Sequence, residues 1–347
     1  MKTATDANKT NYNGLDLLKF ILANLIIILH CGPLKDVSEV GHFYLEKGLT
    51  RLAVPMFFCI SGFLVFRKID VEHLDMKNLW KAIKRPFTLY VVWTIMYMPL
   101  IIPNFMTEKY AGMSILKKII IFIRRFCLIG SWTPLWFFLG LCTATVVICV
   151  LLKMKLHPKM ILLITLLLYL CGCLSDGYSW IGYVLIEKVD WLNKLCSIYT
   201  YIFGITNNGF LFGAFFMAMG MFIAKMKKPC ISGKKALVLF IGSFIVLLIE
   251  ITAISQYEPR DYSKLLALIP CTYFGFCFFK DLNLKDSKIW IYLRNMSVLM
   301  YGLHALFTEV NIENRVELYL FVLPVTLLCS VIIILLQKRV KWLKIFY

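Results

Sequence analysis

Apolar runs of about twenty residues, separated by short basic or aromatic stretches, recur along the whole chain. The first, Leu15–Cys31, is broken only by Asp16, Lys19, Asn24 and His30. Crossing a bilayer takes about 20 helical residues. The pattern gives roughly ten such segments: 15–32, 49–66, 86–106, 133–152, 160–174, 208–224, 236–254, 265–279, 289–308 and 317–336. The fifth and eighth are short. The pattern predicts an all-α, polytopic integral membrane protein of about ten transmembrane helices, built as one membrane-embedded unit over residues 1–347. Segment 115–129, ILKKIIIFIRRFCLI, is cut by Lys117, Lys118, Arg124 and Arg125 and reads as an interfacial amphipathic helix. The longest connection, Ser175–Asn207, is rich in Tyr and Trp. It is expected as an outer loop on the membrane surface, either anchored by its aromatic rings or shaping a substrate cleft.

Composition agrees with this class. The chain is 60% hydrophobic and 17% charged, with a mean hydropathy of +0.76. The first apolar run is too long for a cleavable leader and no small-x-small site follows it, so a retained first span is expected. The net charge of +18 invites a nucleic-acid partner, but sidedness explains it better. With the N-terminus inside, 25 of the 38 Lys and Arg residues fall in cytoplasmic segments. This bias predicts both termini in the cytoplasm. An eleventh span at 115–129 would invert everything after it. Some of these cations can also meet lipid headgroups or an anionic cofactor. The 12 cysteines are scattered through apolar runs, with only Cys171 and Cys173 close together. They support neither a metal site nor a disulfide framework, and read as small packing residues.

The polar breaks in the first span carry the candidate chemistry. An ionisable residue inside a membrane span is costly and is a functional hypothesis by default. His30 lies eleven residues after Lys19. Eleven steps of a helix bring it back to within about 20° of Lys19, roughly 16 Å further along the axis. Asp16 shares that face one turn before Lys19. Imidazole is also the side chain suited to taking up a proton near neutral pH.

Under this topology Arg51 opens the second span beside the outer end of the first, where it can bind an acceptor, stabilise an oxyanion or snorkel to the interface. Ser61–Gly62 reads as a close helix contact. Lys77, Lys81, Lys84 and Arg85 precede the third span, with Pro86 in its first turn. They are either a topology signal or a phosphate-binding cluster. Glu250 in the seventh span and Tyr301 and His304 in the ninth are each a substrate contact or a satisfied polar residue of the bundle. Trp136, which opens the fourth, is a substrate contact or part of the aromatic belt.

The segment NGLDLLKFILANLIIILH resembles the opening of the acyltransferase family 3 proteins: Leu15–Asp16, a basic residue at Lys19, ten residues and then His30. The family usually has Arg at the Lys19 position. RLAVPMFFCISGFLVFRK resembles its Arg-x-x-x-Pro-x-Phe-Phe-x-x-Ser-Gly-Phe pattern from Arg51 onward. WKAIKRPFTLYVVW resembles its basic stretch, with Lys84–Arg85 in place of paired arginines. PLWFFLGL resembles a segment whose histidine is replaced here by Pro134, and SVLMYGLHALF resembles the late Tyr-Leu-x-His motif.

The resemblance implies a multi-pass enzyme of a bacterial plasma membrane. It implies an acyl group, commonly acetyl, drawn from cytoplasmic acyl-CoA and delivered to an extracytoplasmic hydroxyl of a glycan, a lipid-linked sugar or a similar surface acceptor. His30 is then the expected general base or transient acyl carrier, with Lys19 and Asp16 in the catalytic stripe. Lys81, Lys84 and Arg85 are expected on the donor, and Arg51, Trp136, Glu250, Tyr301 and His304 on substrate. The Lys19–His30 separation suits a pantetheine-like arm threaded along the helix. No metal is expected. The alternative is a serine-like amino-acid transporter, since the membrane portions of membrane-bound serine/alanine racemases resemble the same family.

Overall fold

The computed structural model describes residues 12–70, 76–107, 110–204, 206–226, 231 and 233–347. Lys2, Lys9, Lys109, Lys227 and Lys228, which entered the count of basic residues by side, lie outside the described residues. Among the described residues fifteen α-helices follow in order: α1 (Asn13–Cys31), α2 (Glu39–Lys47), α3 (Ala53–Phe66), α4 (Met76–Met96), α5 (Met98–Asn104), α6 (Ile115–Arg124), α7 (Trp136–Lys153), α8 (Pro158–Ser175), α9 (Ser179–Lys188), α10 (Asp190–Phe203), α11 (Ala214–Lys225), α12 (Gly233–Ser255), α13 (Leu268–Asp281), α14 (Ile289–Phe307) and α15 (Arg315–Leu336). Short 3₁₀ or π turns lead into α3, α7 and α11. No strand occurs among the described residues. Six helical stretches there are long and apolar enough to cross a membrane, or seven if α4 and α5, bent by 62°, form one broken span.

Helix α1 is the axis of the bundle, packed against α14, α15, α3 and α13. Its polar interruptions are each met. Asp16 pairs with Lys19 at 3.4 Å, Asn24 accepts from the Tyr319 hydroxyl at 3.2 Å, and His30 faces His304. Its entry is tied down by Asn13, whose amide donates to Asp286 at 2.8 Å. Its exit is a left-handed Gly32 (φ 62°) whose N–H bonds the Ile28 carbonyl, a glycine stop. Beside α1, helices α3 and α11 pack backbone to backbone. A Cβ on Gly62 would lie 2.1 Å from the Met217 carbonyl oxygen, so the expected close contact at Gly62 is realised against α11.

Two sequence expectations change. Pro86 does not open a helix; it lies within α4, which begins at Met76. Residues 77–85 are too polar to register as part of an apolar span, yet they continue the same helix. The proline ring removes the N–H that would bond the Ala82 carbonyl. The 175–207 connection is not a loop but contains α9 and α10. Three of their rings, Tyr183, Trp191 and Tyr201, are exposed, while Trp180 stacks on Tyr257 with centroids 4.6 Å apart. Helix α6 starts at a Ser114 cap and buries none of its residues; Ile115, Leu116, Ile119, Ile120 and Ile123 stand exposed.

Candidate functional site

A cavity of about 540 Å³ opens between the first half of α1, the second half of α3, and α4, α7 and α14. Lys19, Arg67, Lys68, Lys81, Arg85 and Arg294 line it, against a single carboxylate, Asp16. Asp16 is buried between Lys19 and Arg294, whose guanidinium nitrogen lies 3.9 Å from its second oxygen. The lining holds more cations than carboxylates. Crowding like charges in one concave site is costly, and it focuses a positive field suited to a polyanion. Pro86 and Ala82 also line the cavity, so the break in the α4 hydrogen-bond ladder faces it.

Deeper in, the lining turns aromatic and apolar: Phe57, Phe137, Phe138, Leu141 and Tyr301. The Tyr301 hydroxyl donates to the Pro134 carbonyl, which fixes the ring at the inner wall. One turn further along α14 stands His304, its ring 5.9 Å from that of Tyr301. Beyond it is His30, with ring centroids 5.1 Å apart. The cavity lining and the histidine pair are therefore joined through consecutive side chains of α14. His304 is fully buried, and its Nδ1 lies 2.9 Å from the Tyr301 carbonyl oxygen and 3.1 Å from that of Met300.

Of the residues singled out in the sequence, Asp16, Lys19, Lys81, Arg85 and Tyr301 meet in the cavity, and His30 and His304 meet each other. Lys84 is exposed and outside the lining. Arg51 lies in the short turn that leads into α3. Its guanidinium is engaged, 3.3 Å from Asp261 and 3.8 Å from Glu46, with Nε donating to the Glu46 carbonyl at 3.1 Å. Glu250 is in another place altogether. It accepts the N–H groups of Leu266 (2.7 Å) and Ala267 (2.8 Å) and the Tyr178 hydroxyl, and so ties down the turn that leads into α13. A carboxylate at a helix N-terminus is stabilising there. Trp136 packs on Phe58, Phe137 and Phe212 and is outside the cavity lining.

Sequence reasoning passed over two groups. Arg67, Lys68 and Arg294 belong to the cationic lining, although they had counted only toward sidedness. The second is a buried ion pair, Lys264–Asp176, joined by Thr206 (3.1 Å), Asn207 (2.5 Å) and Ser263. Burial pulls the Lys264 ammonium below the ordinary lysine range, and the Asp176 carboxylate opposes that pull. The apolar neighbours Leu265–Leu268 gave no sign of a lysine fully out of water.

The chain is 25% identical to a serine/alanine racemase of Enterococcus gallinarum over 95% of its own length and 47% of the relative's. It is 24% identical to an amino-acid racemase of Enterococcus faecalis over 94% of its length and 45% of that protein's. The chain thus spans about half the length of the curated relatives it matches. No solved structure matches it. The acyltransferase domain family matches residues 12–335, nearly the whole of the sequence. With this match, a helical bundle of membrane-spanning length and the motifs around His30 and Arg51 in place, the chain belongs to acyltransferase family 3, a family of multi-pass membrane acyltransferases.

Proposed function

We propose that the chain is a membrane O-acyltransferase that takes an acyl group, most simply acetyl, from cytoplasmic acyl-CoA to a hydroxyl on an extracytoplasmic glycan or lipid-linked sugar. The observation that carries this reading is the six-cation cavity whose lining ends at Tyr301, which packs on His304 and, through it, against His30. In this reading both termini face the cytoplasm of a bacterial plasma membrane and the cations face the same side. Lys19, Lys81, Arg85 and Arg294 hold the donor's phosphates through charge-assisted hydrogen bonds. The thioester arm follows α1 past Phe57 and Tyr301. His30 takes the proton of the acceptor hydroxyl as that oxygen attacks the thioester carbon. The C–S bond then breaks, and the proton leaves on the CoA sulfur. Asp16 offsets the burial cost of Lys19.

The test is release of free CoA thiol from acetyl-CoA by purified protein supplied with source-cell membranes as acceptor. General-base assistance contributes roughly 10²–10⁴-fold, so His30→Asn should lose at least about a hundredfold in turnover with membrane insertion unchanged. Near-normal turnover in that variant removes His30 from the chemistry. A second reading, uptake of a serine-like amino acid, rests on the likeness to the two enterococcal proteins named as racemases. Amino-acid uptake by proteoliposomes in the absence of any acyl-CoA would favour it.

A further inference from the structure

The donor and acceptor roles of the His304 nitrogens can be worked out from their neighbours. Nδ1 lies within hydrogen-bond distance of two backbone carbonyl oxygens, those of Met300 and Tyr301. Carbonyl oxygens only accept, so Nδ1 carries the hydrogen. In the neutral ring Nε2 must then present a lone pair. That Nε2 is buried and has no hydrogen-bond partner. A buried acceptor left unmade is unfavourable, and native structures rarely keep one without a use.

Three neighbours can be asked whether they supply the missing donor. The Tyr301 hydroxyl is committed to the Pro134 carbonyl. Trp93 packs against Gly302, and two residues along a helix are about 200° apart, so its indole lies on the opposite flank from His304. The third is His30, whose ring faces that of His304 at 5.1 Å with a 38° tilt. This separation brings facing ring nitrogens within reach of an N–H···N bond after a modest side-chain rotation. The Arg51 guanidinium is paired with Asp261 and Glu46.

We propose that His304 is a positioning residue whose Nε2 accepts an N–H from His30, fixing the His30 tautomer so that its other nitrogen offers a lone pair to the acceptor hydroxyl. The logic is that of a histidine oriented by a second group, with a neutral imidazole of locked tautomer in place of a carboxylate. When His30 takes the hydroxyl proton it becomes imidazolium, and its original N–H goes on donating to His304. The proton then passes to the departing CoA sulfur, so nothing further is consumed. The inference rests on reading His30 as the base.

The experiment uses the full chain in nanodiscs with ¹⁵N-labelled histidine. There are five histidines, so single substitutions assign every ring. When both imidazoles are neutral, His304 should show a protonated Nδ1 and a hydrogen-bonded, unprotonated Nε2, with a scalar coupling from that Nε2 to a His30 nitrogen. An Nε2-protonated His304, or no coupling together with a His30 spectrum unmoved by His304→Leu, overturns the proposal. A second arm measures transfer of radiolabelled acetyl from acetyl-CoA to source-cell membranes. His304→Leu should lower kcat at least about a hundredfold with the acetyl-CoA KM unchanged. His304→Gln, which keeps an acceptor near the Nε2 position, should recover most of the loss. Equal loss in both variants, with both folded, also overturns it. If the unsubstituted protein transfers no acetyl at all, the acyltransferase reading fails, and the spectroscopic arm still decides the hydrogen bond.

Discussion

The guanidinium of Arg51 lies 3.3 Å from the Asp261 carboxylate, joining the entry of α3 to the loop between α12 and α13. Arg51 therefore acts on its surroundings through a fixed partner. Burial pushes the Asp261 carboxyl upward, but Arg51, then Ser263, the Tyr262 N–H and Lys264, together hold it below the ordinary carboxylate range. A depressed folded pKa gives stabilisation that is complete above the unfolded value of about 4 and lost as pH falls through the lower folded value. The melting temperature of the detergent-solubilised protein should drop as pH is lowered past about 4. Asp261→Asn should melt lower at neutral pH and lose part of that acid-side slope. Identical curves would mean that the contact contributes nothing to stability.

The α3–α11 contact gives a prediction with its own control. A methyl group on Gly62 meets the Met217 carbonyl oxygen at 2.1 Å, and backbone cannot step aside. Gly62→Ala should destabilise by about 1–3 kcal/mol, the usual cost of overpacking. A methyl group on Gly242 of α12 meets nothing within 4 Å. Gly242→Ala should be neutral, or gain up to about 1 kcal/mol from helix propensity. Thermal melts of the two variants side by side check this, and a stable Gly62→Ala would show that the helices can separate at small cost.

The contrast between these glycines also shows what the sequence could express. Apolar runs set α1, α12 and α15 to within a few residues, because hydropathy is a local property. The stripe Asp16–Lys19–His30 was legible because all three share one helix. Pro86 was misplaced because the polar turns before it carry no apolar signal, although the helix runs through them. Arg294 and Lys68 reach the cavity, and His304 reaches His30, only through contacts between helices distant in sequence. Glu250 reads in sequence only as an intramembrane carboxylate, because its partners, two backbone N–H groups in the turn that leads into the following helix, lie sixteen and seventeen residues away.

Cavity geometry separates the basic residues near α4 that sequence alone grouped together. Arg85 and Arg294 line the cavity and Lys84 does not. A hydrogen bond to a charged group is worth about 1.5–3 kcal/mol, so Arg85→Ala and Arg294→Ala should each raise the acetyl-CoA KM by roughly tenfold or more. Lys84→Ala should leave it unchanged. The check is the KM for acetyl-CoA in the CoA-release assay. If Lys84→Ala has the largest effect, the donor sits elsewhere on this face.

The Lys264–Asp176 pair is buried, and its energetics can be tested without knowing any substrate. Lys264 is fully buried, and Asp176 also accepts from Thr206 at 3.0 Å and Ser263 at 2.9 Å. These bonds suit a carboxylate, so removing the lysine leaves a charge in a site that cannot solvate it. Lys264→Met should then cost about 3–5 kcal/mol, the usual penalty for breaking a buried pair from one side. Adding Asp176→Asn removes the stranded charge and keeps a hydrogen-bonding side chain. The double variant should therefore be more stable than Lys264→Met alone, and less destabilised than the sum of the two single variants by a coupling of at least about 1 kcal/mol. Thermal unfolding of the two single variants and the double variant gives that coupling directly. A double variant destabilised by the full sum of the two single variants would mean that Asp176 is stabilised by its hydroxyl partners and owes nothing to the lysine.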